Sequence, residues 1–587
     1  MSRSALNSRF LAFALLAAMT APGLAQQPAA NSVMKNFKPV TDEMLLKPDP
    51  ADWLLWRRTY DGWGYSPLDQ INKSNVKNLQ VAWTWSLTPG ATETTPIVHN
   101  GVLFIYNYAD KVQALNAATG DLIWEYTRSL PAKLLSEGGN NLAKRSMAIY
   151  QDKLFVATSD AHIVALDATT GKVVWDHTTA DWSKGWRYTG GPMIAHGKLI
   201  QGTTGCGNGE PGGCFITGND VNTGEELWRV WTVAHPGDPN ENTWNGLPLE
   251  SRFGASAWVP GSYDPELNTV YYGTGQPYPW IAEMRGTLPK KDGVENNALY
   301  SDSTLAIDPD TGKLKWYHQY LQNDTWDLDY VYERILIDLP VNGETRKALV
   351  TTGKLGIIEA IDRTNGQWLW AKETVPQTVV KSFDPKTGEK TINPAAIPHI
   401  GQTTVNCPAD PGSRGWPSTA YSPKTKLLYL PLNEFCSNTT PVPLDAGEAY
   451  TGGGRATFVR SPVPNSDGNI GRVDAIKLAD RSQAWTHRQR SPETGAMLPT
   501  GGGVVFTGTW DRYFRAFDDT TGKILWETRT NNAVNGFPIT FMVNGKQYVA
   551  VATGNGSSEM KSLATLTPEI ASPDGGSVLW VFALPGK

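Results

Sequence analysis

An Asp or Asn, a Gly four residues later and a Trp four beyond that recur along this chain. The pattern stands at Asn116/Gly120/Trp124, Asp167/Gly171/Trp175, Asp220/Gly224/Trp228, Asp308/Gly312/Trp316, Asp362/Gly366/Trp370 and Asp518/Gly522/Trp526. A seventh copy keeps the spacing but loses the Asp and the Gly (Lys477, Arg481, Trp485). A short apolar run precedes each copy and a second one carries the Trp, which reads as strand, Asx/Gly tight turn, returning strand. Fixed-period copies of one hairpin specify a repeat architecture.

Neighbouring Trp positions lie 51 (Trp124 to Trp175), 53 (Trp175 to Trp228), 54 (Trp316 to Trp370) and 41 (Trp485 to Trp526) residues apart. That length holds four strands, the size of a propeller blade. A Trp at a fixed place in every unit needs a repeated apolar slot, and the cleft between adjacent blades supplies one; docking the ring buries roughly 150–250 Å². With Val81-Ala-Trp-Thr-Trp85 near the start and Val578-Leu-Trp-Val-Phe582 near the end, the copies predict an all-β, eight-bladed β-propeller whose two chain ends share the last blade. The propeller is expected to fill 41–587 as one domain. The longer steps, Trp228 to Trp316 and Trp370 to Trp485, hold one blade plus an insertion or two blades. Insertions near 231–300 and 372–470, rich in Pro, Gly and Asn, are expected over one face.

The N-terminus reads as a secretory signal over 1–25: Arg3 and Arg9, an apolar run from Phe10 to Ala21, then Gly23-Leu24-Ala25 as cleavage site. Residues 26–40 read as a flexible lead-in. The apolar run is too short to span a bilayer, so the expected compartment is the periplasm and no membrane span is expected. Four cysteines in an exported chain suggest disulfides. Cys206 with Cys214 and Cys407 with Cys436 is the simplest of three possible pairings. No Cys-x-x-Cys-His occurs, which excludes a covalently attached c-type haem on this chain. A net charge of −5 and a pI near 6.0 argue against a nucleic-acid partner. The eight histidines show no metal-like clustering that would suit zinc or copper.

Four passages carry a resemblance: Tyr271-Tyr-Gly-Thr-Gly-Gln-Pro277, Leu305-Ala-Ile-Asp-Pro-Asp-Thr-Gly-Lys313, Asn323-Asp-Thr-Trp-Asp-Leu-Asp329 and Gly545-Lys-Gln-Tyr-Val-Ala-Val551. With them the chain resembles the soluble, haem-free quinoprotein alcohol dehydrogenases, which hold pyrroloquinoline quinone (PQQ) and a metal ion on the axis of an eight-bladed propeller. The spacing of Cys407 and Cys436 also matches a disulfide of that family.

Asp327 and Asp329, two apart in an extended reading, point to one side of the chain, where a carboxylate pair can grip a hard cation or divide binding from proton transfer. The resemblance makes Asp327 the general base for the alcohol hydroxyl. It makes Asp329 the extra carboxylate of the lanthanide-using branch; a further negative ligand favours a trivalent ion, and calcium or a lanthanide stays open. Glu210, in Gly205-Cys-Gly-Asn-Gly-Glu-Pro211, matches a metal ligand, and Gly209 beside it lets backbone approach a flat cofactor. Gln276 stands where the family has an Asn ligand; it carries its carbonyl one methylene further, which leaves direct coordination open. Lys354 matches the cation set against the quinone oxygens. Trp258 matches the indole under the PQQ ring. Glu93, Arg145 and Thr189 match positions that hold its carboxylates and carbonyls, and Glu93, facing a polyanion, requires a bridging donor or shared proton.

Where the family carries two bonded adjacent cysteines, this chain has Gly139-Asn140; a Trp bordering the substrate cavity is replaced by Glu493 and an Asn near the cofactor by Gly415. Smaller roof residues predict a wider, more polar cavity suited to a bulky or secondary alcohol. The implied activity is oxidation to an aldehyde or ketone, with hydride passing to PQQ and electrons to an external cytochrome c. Two other readings remain: a non-catalytic propeller scaffold of the outer-membrane assembly type, and a polyol- or sugar-oxidising quinoprotein. Co-occurrence of Glu210, Trp258, Asp327, Asp329 and Lys354 favours an enzyme over a scaffold, which needs none of them.

Overall fold

Eight four-stranded antiparallel sheets account for most of the chain. A computed structural model describes residues 33–35, 37–206, 212–408, 410–443, 445, 455–556, 558–573 and 575–586. Numbering blades from the first complete unit, blade 1 is Ile97–His99, Val102–Asn107, Lys111–Asn116 and Leu122–Thr127, and blades 2 and 3 begin at Ala148 and Met193. Blade 4 is Ser262–Asp264, Thr269–Gly273, Ser303–Ile307 and Leu314–Gln319; blade 5 is Ile335–Val341, Glu344–Thr352, Ile357–Asp362 and Trp368–Glu373. Blades 6 and 7 begin at Ala420 and Leu498. Blade 8 joins Ile539–Val543, Lys546–Thr553 and Ser577–Ala583 to the early strand Gln80–Leu87, whose register runs from Gln80 opposite Ala583 to Leu87 opposite Ser577. The two ends of the chain therefore close the ring within one blade, as the sequence predicts. Both long Trp-to-Trp steps hold a single blade plus insertion.

The repeat has a physical cause. Each turn Gly runs left-handed, from φ +70 at Gly522 to φ +81 at Gly120, and the Trp of the preceding blade lies against it. A Cβ on Gly120 would stand 2.6 Å from the Trp83 ring, so the ring itself demands glycine. The indole N–H then donates to the same turn: Trp83 to the Ala117 carbonyl at 3.2 Å, Trp124 to Ala168 at 3.0 Å and Trp228 to Pro309 at 2.9 Å. In the degraded copy Arg481 takes φ +63 in place of Gly and sets its guanidinium 6.0 Å over Trp370. A bulge before the Trp, between Ala114 and Leu115 in blade 1 and at the matching place in blade 2, tilts the ring toward its neighbour.

The 372–470 insertion carries a hairpin (Val380–Phe383 with Lys390–Ile392) and a three-stranded sheet of Thr404–Asn406, Phe435–Pro441 and Ala456–Pro462. It meets the 231–300 insertion where Trp280 packs on Phe458, ring centroids 6.1 Å apart. A third insertion, unforeseen from sequence, separates the last two blade 8 strands of the C-terminal half; its helix Ser558–Ala564 sends Met560 and Leu563 into an apolar cluster with Trp56, Trp416, Trp510 and Phe537. Both disulfides form as the simplest pairing has them, Cys206–Cys214 and Cys407–Cys436.

The flexible lead-in expected over 26–40 needs correction at its end. The lead-in 26–40 is packed at its end: Phe37 meets His99 edge-on at 5.3 Å, and Val40 exchanges backbone hydrogen bonds of 2.8 and 2.7 Å with Gln151. Apolar Phe37 and Val40 gain by covering blades 1 and 2, which a flexible tether would forgo. The leader 1–25 lies outside the described residues. Among the described residues no helix is long and apolar enough to cross a membrane.

Candidate active site

The segment entering each blade supplies the axial residues. Glu93 stands four residues before the first strand of blade 1, Arg145 three before that of blade 2, and Thr189 and Trp258 four before those of blades 3 and 4. Nearly equal offsets in a ring of equal blades bring residues far apart in sequence to one place. Arg145 Nη2 pairs with Glu93 Oε2 at 2.5 Å, Arg145 Nη1 donates to the Thr189 carbonyl at 3.3 Å, and the guanidinium lies 4.4 Å from the Trp258 ring centroid. Arg145 is thus the donor that Glu93 requires beside an anionic ligand. Arg145 Nε, Thr94 Oγ1 and Ser146 Oγ are buried without a hydrogen-bond partner among the described residues. Such a group of unused donors beside an indole face fits a flat ligand rich in carboxylates and carbonyls.

Trp258 meets Tyr332 edge-on at 5.6 Å, and Tyr332 leads toward the acidic side of the site. There Lys354, just past the end of the second blade 5 strand, places Nζ 2.8 Å from Asp327 Oδ1 and 3.0 Å from Asp329 Oδ2. Asp329 Oδ1 accepts the Gln276 backbone N–H at 3.0 Å, and a Cβ on Gly275 would collide with that same oxygen. The Gly at 275 is therefore fixed by the carboxylate beside it. The strand alternation invoked for Asp327 and Asp329 is wrong in mechanism: the segment is an irregular loop, and Asp327 runs left-handed at φ +65. The pair converges because Lys354 gathers both acids, not because extended side chains alternate.

Burial, opposed by the Lys354 charge and reinforced by Asp410 and Asp329, pushes the Asp327 carboxyl well above the usual range. Lys354 is buried, yet Asp327 and Asp329 hold its ammonium well above the ordinary lysine value. Two further acids, missed in the sequence, stand behind the pair. Asp324 is pushed up to about 6 by burial while accepting N–H groups from Trp326 and Leu328 at 2.7 and 2.6 Å. Asp302 is fully buried, neither carboxyl oxygen has a hydrogen-bond partner among the described residues, and burial with the Asp324, Asp329 and Asp327 charges drives its pKa well up. Its backbone is left-handed (φ +48) just ahead of a third strand, as is that of Asp110 at the same place in blade 1.

Lys354 faces Asp302, Asp327 and Asp329, and Arg285 acts on Asp324, so buried acids outnumber the cations beside them, which fits a bound cation. Of the residues expected to hold an ion, Asp327 and Asp329 converge here, and Gln276 lies beside Asp329 through its backbone N–H. Glu210 and Gly209 lie outside the described residues, and among the described residues no three His, Cys, Asp or Glu side chains form a complete cage. Of the roof residues, Gly139 has nothing within 4 Å of the place its Cβ would take, so that space is open. Gly415 is different: the Met560 methyl stands 3.7 Å from where its Cβ would lie, so the third insertion refills the space inferred there. Glu493 is buried, neither oxygen has a hydrogen-bond partner among the described residues, and burial pushes its carboxyl up to about 8 against the pull of Arg515.

The family model described as "PQQ: Glucose/ethanol/alcohol dehydrogenase, beta-propeller domain" matches residues 53–384 and 466–549. The chain is 35% identical to a quinohemoprotein alcohol dehydrogenase of Comamonas testosteroni, over 91% of this chain and 76% of that one. It is 32% identical to the quinoprotein alcohol dehydrogenase PedH of Pseudomonas putida, over 100% and 98%. Among solved structures, a europium-containing methanol dehydrogenase superposes with a TM-score of 0.83 at 29% identity, covering 92% of this chain and all (100%) of that one. A propeller of this blade plan, an indole and guanidinium facing a lysine-bound acid pair, and these relatives agree: the chain belongs to the family of PQQ-dependent alcohol dehydrogenases.

Proposed function

We propose that this protein is an exported quinoprotein that oxidises a bulky or secondary alcohol to an aldehyde or ketone and passes the electrons to a separate cytochrome c. The observation that carries the reading is the convergence of Asp327 and Asp329 on one buried lysine, next to Gln276 and across Tyr332 from Trp258. PQQ and its calcium or lanthanide ion, when bound, supply the two-electron acceptor and the Lewis acid. Asp327 takes the hydroxyl proton. Its Oδ1 is anchored by Lys354, which leaves Oδ2 for the substrate, and its side chain is 17% exposed while Lys354 and Asp329 beneath it are 5% and 4% exposed. The Lys354 ammonium favours the carboxylate form of Asp327 that a base requires. Asp327 and Asp329 keep the buried Lys354 ammonium charged beside the reacting centre. Trp258, Arg145 and Glu93 orient the cofactor, with Thr189 holding Arg145 through its carbonyl. Asp329, Gln276 and Glu210 would hold the ion, the extra carboxylate favouring a trivalent one. The leader over 1–25 would direct the single propeller domain of 41–587 to the periplasm.

The test is reconstitution of the purified protein with PQQ and either Ca²⁺ or La³⁺, followed by a dye-linked assay over primary, secondary and polyhydroxylated alcohols. Alcohol-dependent dye reduction is expected with one of the two ions. Absence of a bound quinone chromophore with both would favour the scaffold reading instead.

A further inference from the structure

Above the acid pair, the 372–470 insertion places a second, opposite-charged pair that the mechanism does not use. Asp410 lies in a segment fastened at both ends. Cys407 is bonded to Cys436 of the central strand of the three-stranded sheet. At the other end Gly412 turns left-handed (φ +90) with its Cα against the Lys354 side chain, where a Cβ would stand 2.5 Å from Lys354 Cβ. Ser413 then donates its N–H and its hydroxyl to the Lys354 carbonyl, at 2.7 and 2.9 Å. Asp410 is thus two residues from a rivet on the lysine that holds Asp327.

Its partner comes from the outer strand of the same sheet. Arg460 Nη2 approaches the Asp410 carboxylate at 3.3 Å, and Nη2 and Nε donate to the Asp410 carbonyl at 3.2 and 3.3 Å. The guanidinium is backed by the Phe458 ring at 4.8 Å, and Phe458 by Trp280, four residues beyond Gln276. Stacking and bidentate bonding fix both groups before any ligand arrives. Asp410 and Arg460 side chains are 21% and 14% exposed, comparable with Asp327 at 17%, whereas the groups below are nearly sealed. Asp410 lies near enough to Asp327 for its charge to be felt there. A substrate whose hydroxyl reaches Asp327 therefore has this pair nearby. Among the described residues Arg460 Nη1 makes no hydrogen bond, and one Asp410 oxygen is likewise uncommitted, so the pair retains both a donor and an acceptor.

We propose that Asp410 and Arg460 are a specificity-determining pair that hydrogen-bonds a second oxygen function of the alcohol, so that the enzyme selects hydroxylated or keto-substituted alcohols over simple alkanols of the same skeleton. The proposal rests on the alcohol-oxidation reading above. Recognition of an added hydroxyl by charged, pre-oriented partners discriminates far more sharply than apolar contact, because the analogue lacking it leaves those partners unpaired.

The experiment compares matched substrates (1-butanol with 1,3-butanediol, cyclohexanol with 1,4-cyclohexanediol) on PQQ- and metal-loaded wild type, Asp410→Asn, Arg460→Met and Arg460→Lys. Wild type is expected to favour the diols in kcat/KM. Asp410→Asn and Arg460→Met should lower the diol-to-alkanol ratio of kcat/KM by about tenfold or more, chiefly through KM of the diol. Arg460→Lys, which keeps the charge but not the fork, should fall between. A ratio unchanged in all three variants, or equal losses on both members of each pair, would overturn the proposal. Arg460→Lys serves where a larger change impairs folding, as read by circular dichroism. If wild type oxidises no alcohol of the panel, the oxidation reading itself fails and the selectivity with it.

Discussion

Blades 1 and 4 place an aspartate at the same turn, left-handed and fully buried, and the two fare oppositely. Asp110, ahead of the third strand of blade 1, receives Lys144 at 2.8 Å, the Ser159 N–H at 2.8 Å and the Tyr106 hydroxyl. Lys144 also donates to the Tyr188 carbonyl at 2.7 Å, so the charge pair is closed on all sides. Asp302, ahead of the third strand of blade 4, receives no such donor among the described residues. The difference traces to one position: four residues before the next blade's first strand stands Lys144 in one case and Val331 in the other. The fold can satisfy a buried acid at this turn and in blade 4 does not. An unsatisfied buried acid costs stability whether it is charged or forced to keep its proton. One half of the axis closes its buried acid with a lysine; the other, we propose, holds a cation.

Breaking the functional half should leave stability and remove turnover. Asp327→Ala is expected to lower kcat by about 10²–10⁴-fold, the usual worth of a positioned base, in a dye-linked assay of the loaded enzyme. Breaking the structural half should do the reverse. Lys144→Met leaves Asp110 buried without its cation and is expected to cost about 3–5 kcal/mol in denaturant unfolding. Glu493 sharpens the contrast through pH. Its folded pKa of about 8 exceeds the unfolded value, so the folded state holds a proton that the unfolded state has lost, and stability falls as pH rises from about 5 to about 8. Glu493→Gln lacks that loss, so its stability advantage over wild type should grow by on the order of 3 kcal/mol across this range, read from melts at both ends. The smallest effect is expected at Asp302 itself. In metal-free protein Asp302→Asn should stabilise by about 1–3 kcal/mol, whereas the same change at Asp110 should destabilise. Stabilisation by neither would place a donor at Asp302 that the described residues do not reveal.

The ring was readable from residues because one Gly and one Trp are each forced by the other: the ring of Trp83 excludes a side chain at Gly120. Glu93, Arg145, Thr189 and Trp258 were readable through resemblance, and their common placement just ahead of a first strand explains why they meet. Asp302 was not, since an Asp before a strand reads as an ordinary turn until its missing lysine is noticed across the blade. Asp410 and Arg460 escaped for another reason. They are 50 residues apart in a long insertion, and only the Cys407–Cys436 bond with its sheet brings them together. Met560 shows the same limit in the opposite sense, because a small residue at Gly415 says nothing of which distant loop covers it.

Asp327, held by Lys354, is proposed to take the proton that lets an alcohol reduce quinone bound at this axis. This role is tested most directly by loading wild type and Asp327→Ala with PQQ and La³⁺ or Ca²⁺, adding alcohol under anaerobic conditions and following the visible quinone absorbance. Rapid bleaching in wild type, with the variant binding quinone but bleaching at least a hundredfold (~10²) more slowly, is the predicted result. Equal bleaching rates in the two proteins would contradict the account.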